Sequence, residues 1–533
     1  MNLGTYLDQR VDRYGQRTFL HYYDRTLTYA ELGEQVDRLA HGLRRLGFRE
    51  GDFVHVLEVN SPEVLVAYFA IQKIGAIAGP INGLWKADEI EYLLNDSGGR
   101  GLIIGSAFVP LLAQIRARCP RLETVIEIGA QVKEGHASFG QLIADSPAER
   151  FECAAAEEAP CYIFYTSGTT GNPKGVLLSH KNVFADVRSF QETAQLDEGY
   201  RILIFLPLFH VNAMLTSVST VDKGGAVVLR QKFSASEFFE VVEKYRVNFF
   251  SGVPAIYSFL LADPGRDTLQ PGGAGGGSRK RDRSSLQFGI CGAAPMPVET
   301  FKEFERTFGI PIVEGYGLTE ATCVSTLNPI RGLRKVGSIG LPCAGQEVLI
   351  VDEAGNELPA GEPGEIVIRG DVVMLGYHNR PEETAETLAG GMLHTGDVGK
   401  KDEDGYIFIV DRLKDMVIRG GENIYPKEID YLLVEHPKIR DAACVGVPDA
   451  ALGEELCAYV VPREGEALTE DEVVAFCRER LADYKVPRYV RVLDRDFPRN
   501  AVGKILKKEL KSWGVEGLEK HTLEQGEDER SAR

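Results

Sequence analysis

The sequence predicts an α/β protein, with a large layered α/β N-terminal domain followed by a small α+β C-terminal domain. Three observations carry that expectation. The chain has 533 residues, several times the roughly 100–200 residues of a single domain. Its N-terminal part alternates β-rich runs with amphipathic helical patterns, which is the succession of a βαβ fold. Beyond residues 411–415 (DRLKD) the character changes to a self-contained α/β unit. The expected division is therefore 1–413 and 414–533.

The elements follow in order. Residues 18–23 are rich in β-formers. Thr28 followed by Glu31 is a capping box, in which two orphan backbone N–H groups are satisfied reciprocally. Leu32, Val36, Leu39, Leu43 and Leu46 recur at helical spacing, and Gly47 supplies a stop. Residues 53–58 read as a strand, Ser61-Pro62 opens a helix, and 76–81 returns as a strand. The glycine-rich stretch 271–278 (PGGAGGGS), with the basic run 279–283 behind it, reads as a solvated surface loop. In the C-terminal part 416–419, 441–447 and 455–461 read as strands, and 426–436 and the capped 469–481 as helices.

Composition narrows the function classes. With 44% hydrophobic and 26% charged residues the chain is an ordinary globular protein. Sixty Lys+Arg against 78 Asp+Glu give a net charge of -18, which argues against a nucleic-acid backbone as the main partner. The first twenty residues intersperse Asp8, Arg10, Asp12 and Arg13, so they hold no signal-peptide apolar region. The longest apolar run, 64–79, is interrupted by Gln72 and Lys73 and falls short of the roughly 20 residues of a transmembrane helix. Nine cysteines without a CxxC pair suit reduced thiols in a cytoplasmic protein, with no zinc site.

The densest chemical signal is 165–175, YTSGTTGNPKG, between two apolar β-runs. Glycines let backbone N–H groups approach a polyphosphate, hydroxyls donate to its oxygens, and Lys174 supplies charge. The spacing is not that of a Walker loop, and a strand follows where a Walker loop opens a helix.

This loop resembles the signature of the adenylate-forming superfamily, which holds acyl-CoA synthetases, peptide-synthetase adenylation domains and firefly-type luciferases. Further motifs stand in that family's order: 289–295 (GICGAAP), 314–320 (EGYGLTE), 393–397 (LHTGD), 411–415 (DRLKD) with 420–423 (GGEN), and 498–504 (PRNAVGK). The resemblance runs from about Thr28 to Lys508.

It implies a two-step reaction, in which a carboxylate takes AMP from ATP and a thiol, usually that of coenzyme A, then displaces the AMP. It also implies roles for residues. Thr166, Ser167, Gly168, Thr169, Thr170 and Lys174 would cradle the β- and γ-phosphates. Gly292, Ala293 and Ala294 would line the adenine, with Glu314, Gly315 and Tyr316 against its face. Thr319 would touch the α-phosphate and Glu320 would hold Mg²⁺, with Thr166 a second candidate ligand. Asp397 would accept from the ribose hydroxyls beside Arg412, and Lys504 would bridge carboxylate and α-phosphate. Lys414 sits at the hinge about which the small, mobile domain turns to present Gly420, Gly421 and Glu422 for thioester formation. Taken singly, Lys504 would read as a solvated lysine, Asp397 as a turn former and Glu320 as a helix start.

The segment 206–214 resembles the acyl-pocket wall. His210, Val211 and Asn212 stand where amino-acid-activating relatives carry an aspartate, which disfavours an amino acid. Ser251, Gly252, Val253, Gly317, Leu318 and Cys323 are small or apolar and suit an uncharged medium-chain or cyclic acid. Ile418 stands where luciferase-type members have a lysine, which weakens that reading. The expected partners are a carboxylic acid, ATP and CoA; a homodimer stays open. The alternatives are an acyl-AMP ligase loading a carrier protein and a non-catalytic nucleotide-binding relative.

Overall fold

The computed structural model describes residues 2–521 apart from 152, 154, 167–172, 264–280, 295, 420, 421, 450, 451, 500–504, 516, 517 and 519. The capping box at Thr28 and Glu31 is complete and opens the helix Tyr29–Arg45. Leu32, Val36, Leu39 and Leu43 are its buried stripe, and Gly47 follows with φ +89°, a conformation that costs glycine nothing. The apolar run at 64–79 resolves into the helix Pro62–Lys73, buried at every position but Glu63, and the strand Ile77–Pro80. It is core. No helix among the described residues is long and apolar enough to cross a membrane.

Two sheets organise the large unit. In the first, Ile77–Pro80, Phe53–Leu57, Gly101–Gly105 and Thr124–Ile128 pair in parallel. Pro160–Thr166 lies parallel to Ile77–Pro80 and forms an antiparallel hairpin with Lys174–Ser179. In the second, Thr18–Tyr22, Ala226–Leu229, Arg201–Ile204, Phe249–Gly252, Phe288–Cys291 and Ile312–Tyr316 run parallel side by side. A parallel sheet is covered on both faces, so its strands are continuously apolar. Accordingly Ala226–Leu229, Phe249–Gly252 and Phe288–Cys291 are buried throughout. Phe164 of the first sheet and Phe249 of the second belong to one core with Tyr29, Val66, Val187 and Val218.

Contacts divide the chain into two compact units. One comprises Met1–Val348 with Val367–His394, the other Leu349–Ile366 with Thr395–Arg533. That division precedes the 413/414 boundary expected from the sequence. The strands Leu393–Lys401 and Ile407–Arg412 pair with each other, which draws residues ahead of 413 into the smaller unit. The smaller unit's own sheet pairs Val417–Arg419, Gly453–Pro462, Ile439–Asp449 and Tyr489–Val492. Its core joins Val417, Ile429, Leu433, Leu456, Val473 and Val490. Thr469 and Glu472 cap the helix Glu470–Arg478 reciprocally.

Residues 271–278 lie outside the described residues. The basic run behind them is packed rather than solvated where it is described. Arg281 pairs with Glu240 at 3.2 Å, and Arg283 lies over the rings of Phe239 and Phe308.

Candidate functional site

Four parallel strands bring candidate residues to one sheet edge. Gly252 stands opposite Cys291, and Cys291 opposite Glu314, so the carboxyl ends of Phe249–Gly252, Phe288–Cys291 and Ile312–Tyr316 coincide. Ser251 and Val253, then Gly292, Ala293 and Ala294, then Glu314, Gly315 and Tyr316 occupy those three ends. Arg201–Ile204 is the next strand, and the chain beyond it leads to His210. This edge is where open α/β sheets bind ligands.

The backbone there is tightly constrained. Ala293 adopts φ +64°, a region that non-glycine residues seldom enter. A Cβ on Gly317 would lie 1.7 Å from the Cys323 carbonyl oxygen, and one on Gly315 2.8 Å from Leu327. Glu314 is 8% exposed; burial pushes its carboxyl up to about 7 although the Gly337 and Met296 amides donate to it. The one-turn helix Thr319–Ala321 ends at Thr322, with φ +66° and ψ -60°. The Cys323 amide donates to the Ala321 carbonyl at 2.8 Å, closing a positive-φ γ-turn, a rare and strained form. The buried Thr322 hydroxyl anchors it on the Val372 carbonyl at 2.6 Å. Fully buried Asp186, whose carboxyl burial pushes well up, accepts from the Val324 amide at 3.4 Å. Neither Thr322 nor Asp186 carried a sequence signal, because a threonine gives no hint of positive φ and Asp186 sits in an ordinary helix.

At the phosphate-loop candidate the hairpin closes with Tyr165 opposite Gly175 and Thr166 opposite Lys174. Ser167, Gly168, Thr169 and Thr170 lie outside the described residues. Lys174 forms an ion pair with Glu383, and its ammonium lies 5.0 Å from the centre of the Tyr377 ring. The Tyr377 hydroxyl in turn donates to Glu320 Oε1 at 2.9 Å. One tyrosine thus joins the candidate phosphate-binding lysine to the candidate metal-binding carboxylate. Asp96 fixes the base of this arrangement. It accepts from the Tyr165 hydroxyl at 2.8 Å and from Arg380 at 2.9 Å. Tyr377, Glu383 and Asp96 went unnoticed in the sequence because they belong to distant segments. The two-residue strand Gly376–Tyr377, paired on Lys174–Ser179, brings the tyrosine there.

Mg²⁺ typically takes one or two carboxylates, with substrate phosphates and water completing its shell. Glu320 fits that demand, with the Thr166 hydroxyl a further oxygen at the hairpin. Among the described residues no group of three or more His, Cys, Asp or Glu side chains could hold a metal unaided.

In the smaller unit Asp397 stands opposite Arg412 across paired strands, and Arg412 Nε lies 2.7 Å from Asp397 Oδ1. Asp411 is buried and caps the helix Pro426–Val434. Its Oδ2 accepts from the Lys427 amide and its Oδ1 from the Arg412 amide, both at 2.7 Å. Lys414 is exposed on the short turn Leu413–Asp415. Glu422 pairs with Arg419 across Gly420 and Gly421, which lie outside the described residues, as does Lys504. Arg499 and Ile505 form an antiparallel bridge. Lys507 follows at once, held 2.7 Å from Asp430.

Of the acyl-wall candidates, His210 is the N-cap residue of the helix Val211–Asp222, which also carries Asn212. Burial pushes its imidazole down to about 4, and its buried Nε2 has no hydrogen-bond partner among the described residues. Val253 occupies the N-cap position of the helix Pro254–Ala262. Gly317 and Leu318 connect Ile312–Tyr316 to the Thr319 turn.

Comparison with known proteins decides the family. The AMP-binding enzyme model matches residues 7–378, and the AMP-binding enzyme C-terminal domain model matches 428–504. The chain belongs to the AMP-binding enzymes. Within that family it is an AMP-forming acid–thiol ligase of the acyl-CoA synthetase kind. It is 38% identical over 520 residues to a feruloyl-CoA synthase of an Amycolatopsis species, covering 96% of this chain and 98% of that one. It is 36% identical to a long-chain-fatty-acid–CoA ligase of Mycobacterium tuberculosis, covering 92% and 93%. Its fold resembles that of ATP-bound MatB from Rhodopseudomonas palustris, with a TM-score of 0.87 at 30% identity over 96% and 99% of the two chains. An anthranilate CoA ligase in complex with anthranoyl-AMP gives 0.86 at 28% identity, over 96% and 97%.

Proposed function

We propose that this AMP-binding enzyme is an ATP-dependent carboxylic acid:CoA ligase acting on a medium-chain or cyclic acid through an acyl-adenylate. The observation that carries the reading is the chain of contacts Lys174–Tyr377–Glu320 beside the coincident strand ends. A cation, a metal-type carboxylate and a glycine-bearing backbone brought together in this way support binding of a nucleoside triphosphate. The relative named a feruloyl-CoA synthase supports a cyclic acid, and the fatty-acid ligase a chain. A carrier-protein acceptor remains the second reading.

In this scheme the acid carboxylate attacks the α-phosphorus and pyrophosphate leaves. The CoA thiolate then attacks the acyl carbonyl and AMP leaves. Adenylation asks for positioning and charge neutralisation more than for covalent help from the protein. Lys174 takes the terminal phosphates, Thr319 the α-phosphate, Asp397 the ribose hydroxyls, and Lys504 the oxygens that gain charge. Glu320 and Thr166 would hold Mg²⁺, which when bound offsets phosphate charge. Ser251, Val253, Gly317 and Leu318 admit the acyl group and offer it no charged partner. Lys414 is the hinge residue of this scheme, and Gly420, Gly421 and Glu422 would serve the second step.

The test is AMP formation dependent on ATP and CoA across fatty, alicyclic and aromatic acids, with Lys504→Ala as control. Turnover of one class, abolished in Lys504→Ala, is the expected result. Wild-type protein that binds ATP yet forms no AMP with any acid would refute the ligase reading. Turnover with a carrier protein and none with free CoA would favour the second reading.

A further inference from the structure

We propose that Glu383 is a built-in counter-ion of Lys174, which the terminal phosphates of the nucleotide displace, so that it sets affinity for nucleotide and for pyrophosphate. The proposal rests on the ATP reading above. Lys174 is paired with Glu383. The lysine side chain is 22% exposed and the carboxylate 39%, so solvent reaches both and the pair can exchange partners without a buried charge being stranded.

The surroundings favour that exchange. Glu383 lies in the first turn of the helix Pro381–Thr387, whose N-cap residue is Arg380. Arg380 is held by Asp96 at 2.9 Å and lies 3.8 Å from Glu383 Oε1. When Lys174 turns to a phosphate, the released carboxylate therefore keeps a fixed cation nearby. The second neighbour of Lys174, the Tyr377 ring at 5.0 Å, is uncharged and does not compete with phosphate. A polyphosphate offers several anionic oxygens against the single carboxylate, and charge-assisted bonds to it are strong. Glu383 is thus the one carboxylate seen on Lys174 among the described residues, and its charge opposes nucleotide entry.

The experiment uses full-length protein, the ATP–pyrophosphate exchange assay, and the variants Glu383→Gln and Glu383→Asp. Glu383→Gln is expected to lower the KM for ATP and the inhibition constant of pyrophosphate together, by about two- to fivefold, the range an exposed ion pair spans. The KM for the acid stays unchanged, and Glu383→Asp restores values towards wild type. An unchanged or raised KM for ATP in Glu383→Gln overturns the proposal, and so does an equal fall in the KM for the acid. Wild-type protein showing no exchange with any acid refutes the ATP reading itself, a result separate from either of these.

Discussion

Arg412 Nε lies 2.7 Å from Asp397 Oδ1, and the two residues are register partners on adjacent strands. The carboxylate side chain is only 7% exposed while the guanidinium is 37% exposed, so the pair offers a shielded acceptor under a reachable donor. Asp397→Ala is expected to raise the KM for ATP by about 10- to 150-fold, the cost of hydrogen bonds to a charged group. Asp397→Asn, which keeps an acceptor oxygen, should cost less. Initial rates against ATP concentration check this, and an unchanged KM would remove Asp397 from the nucleotide site.

Gly317 cannot carry a side chain. Its Cβ would fall 1.7 Å from the Cys323 carbonyl, and that carbonyl is fixed by the γ-turn at Thr322, itself tied to Val372. Gly317→Ala must displace the segment that bears Thr319 and Glu320. A shift of about 1 Å in a catalytic constellation costs about a hundredfold, so adenylation should fall by about that factor. Circular dichroism should remain that of wild type. Near-normal adenylation would show that the turn moves freely.

The sequence made the local elements and the motif order legible because both depend on spacing alone. Thr28 and Glu31 announce a helix start that is present in full, and the apolar runs around 165–175 do form a hairpin. What stayed hidden depends on tertiary approach. Glu383 and Tyr377 reach Lys174 from a segment some two hundred positions away, and no periodicity links them. Lys73 read only as an interruption of an apolar run. In the structure it is a buried cation, because the first two helices bring Asp8 and Asp37 against it. The positive φ of Ala293 and Thr322 is equally silent, since neither residue type favours it.

That buried cation sets a stability prediction. The Lys73 side chain is 1% exposed and pairs with Asp8 and Asp37, while its backbone presses on Gly4, where a Cβ would lie 2.5 Å from Lys73 Cα. Removing one partner of a buried pair leaves an uncompensated charge at about 3–5 kcal/mol. Lys73→Ala should lose about that much in urea unfolding. Lys73→Met combined with Asp37→Leu, which removes the cation and its more buried partner while Asp8 keeps Arg150 at 3.7 Å, should recover much of it. Equal stability of Lys73→Ala and wild type would show that the triad contributes nothing.

Acid sensitivity follows from two buried histidines, His55 and His180, and the half-buried His210. Burial pushes His55 and His210 down to about 4 and His180 to about 3. His55 is fully buried between the Gly79 carbonyl and the Ser97 hydroxyl, and His180 accepts from the Leu3 amide. A base whose folded pKa is depressed contributes stability above its unfolded value near 6.5 and loses it as pH falls towards the folded value. Each histidine therefore costs stability between about pH 6.5 and 4, on the order of 3 kcal/mol for a shift of this size. Glu314, raised to about 7 by burial, slopes the other way: its contribution is present below about 4.5 and lost as pH rises through 7. The three histidines thus push the unfolding free energy up from pH 5 to pH 7, against the opposite slope of the buried Glu314 and Asp186 carboxyls. In urea titrations His55→Gln should lie closer to wild type at pH 5 than at pH 7.5. Glu314→Gln should gain on wild type over the same rise in pH. A histidine variant whose deficit is the same at both pH values would mean that His55 is not held neutral by its burial.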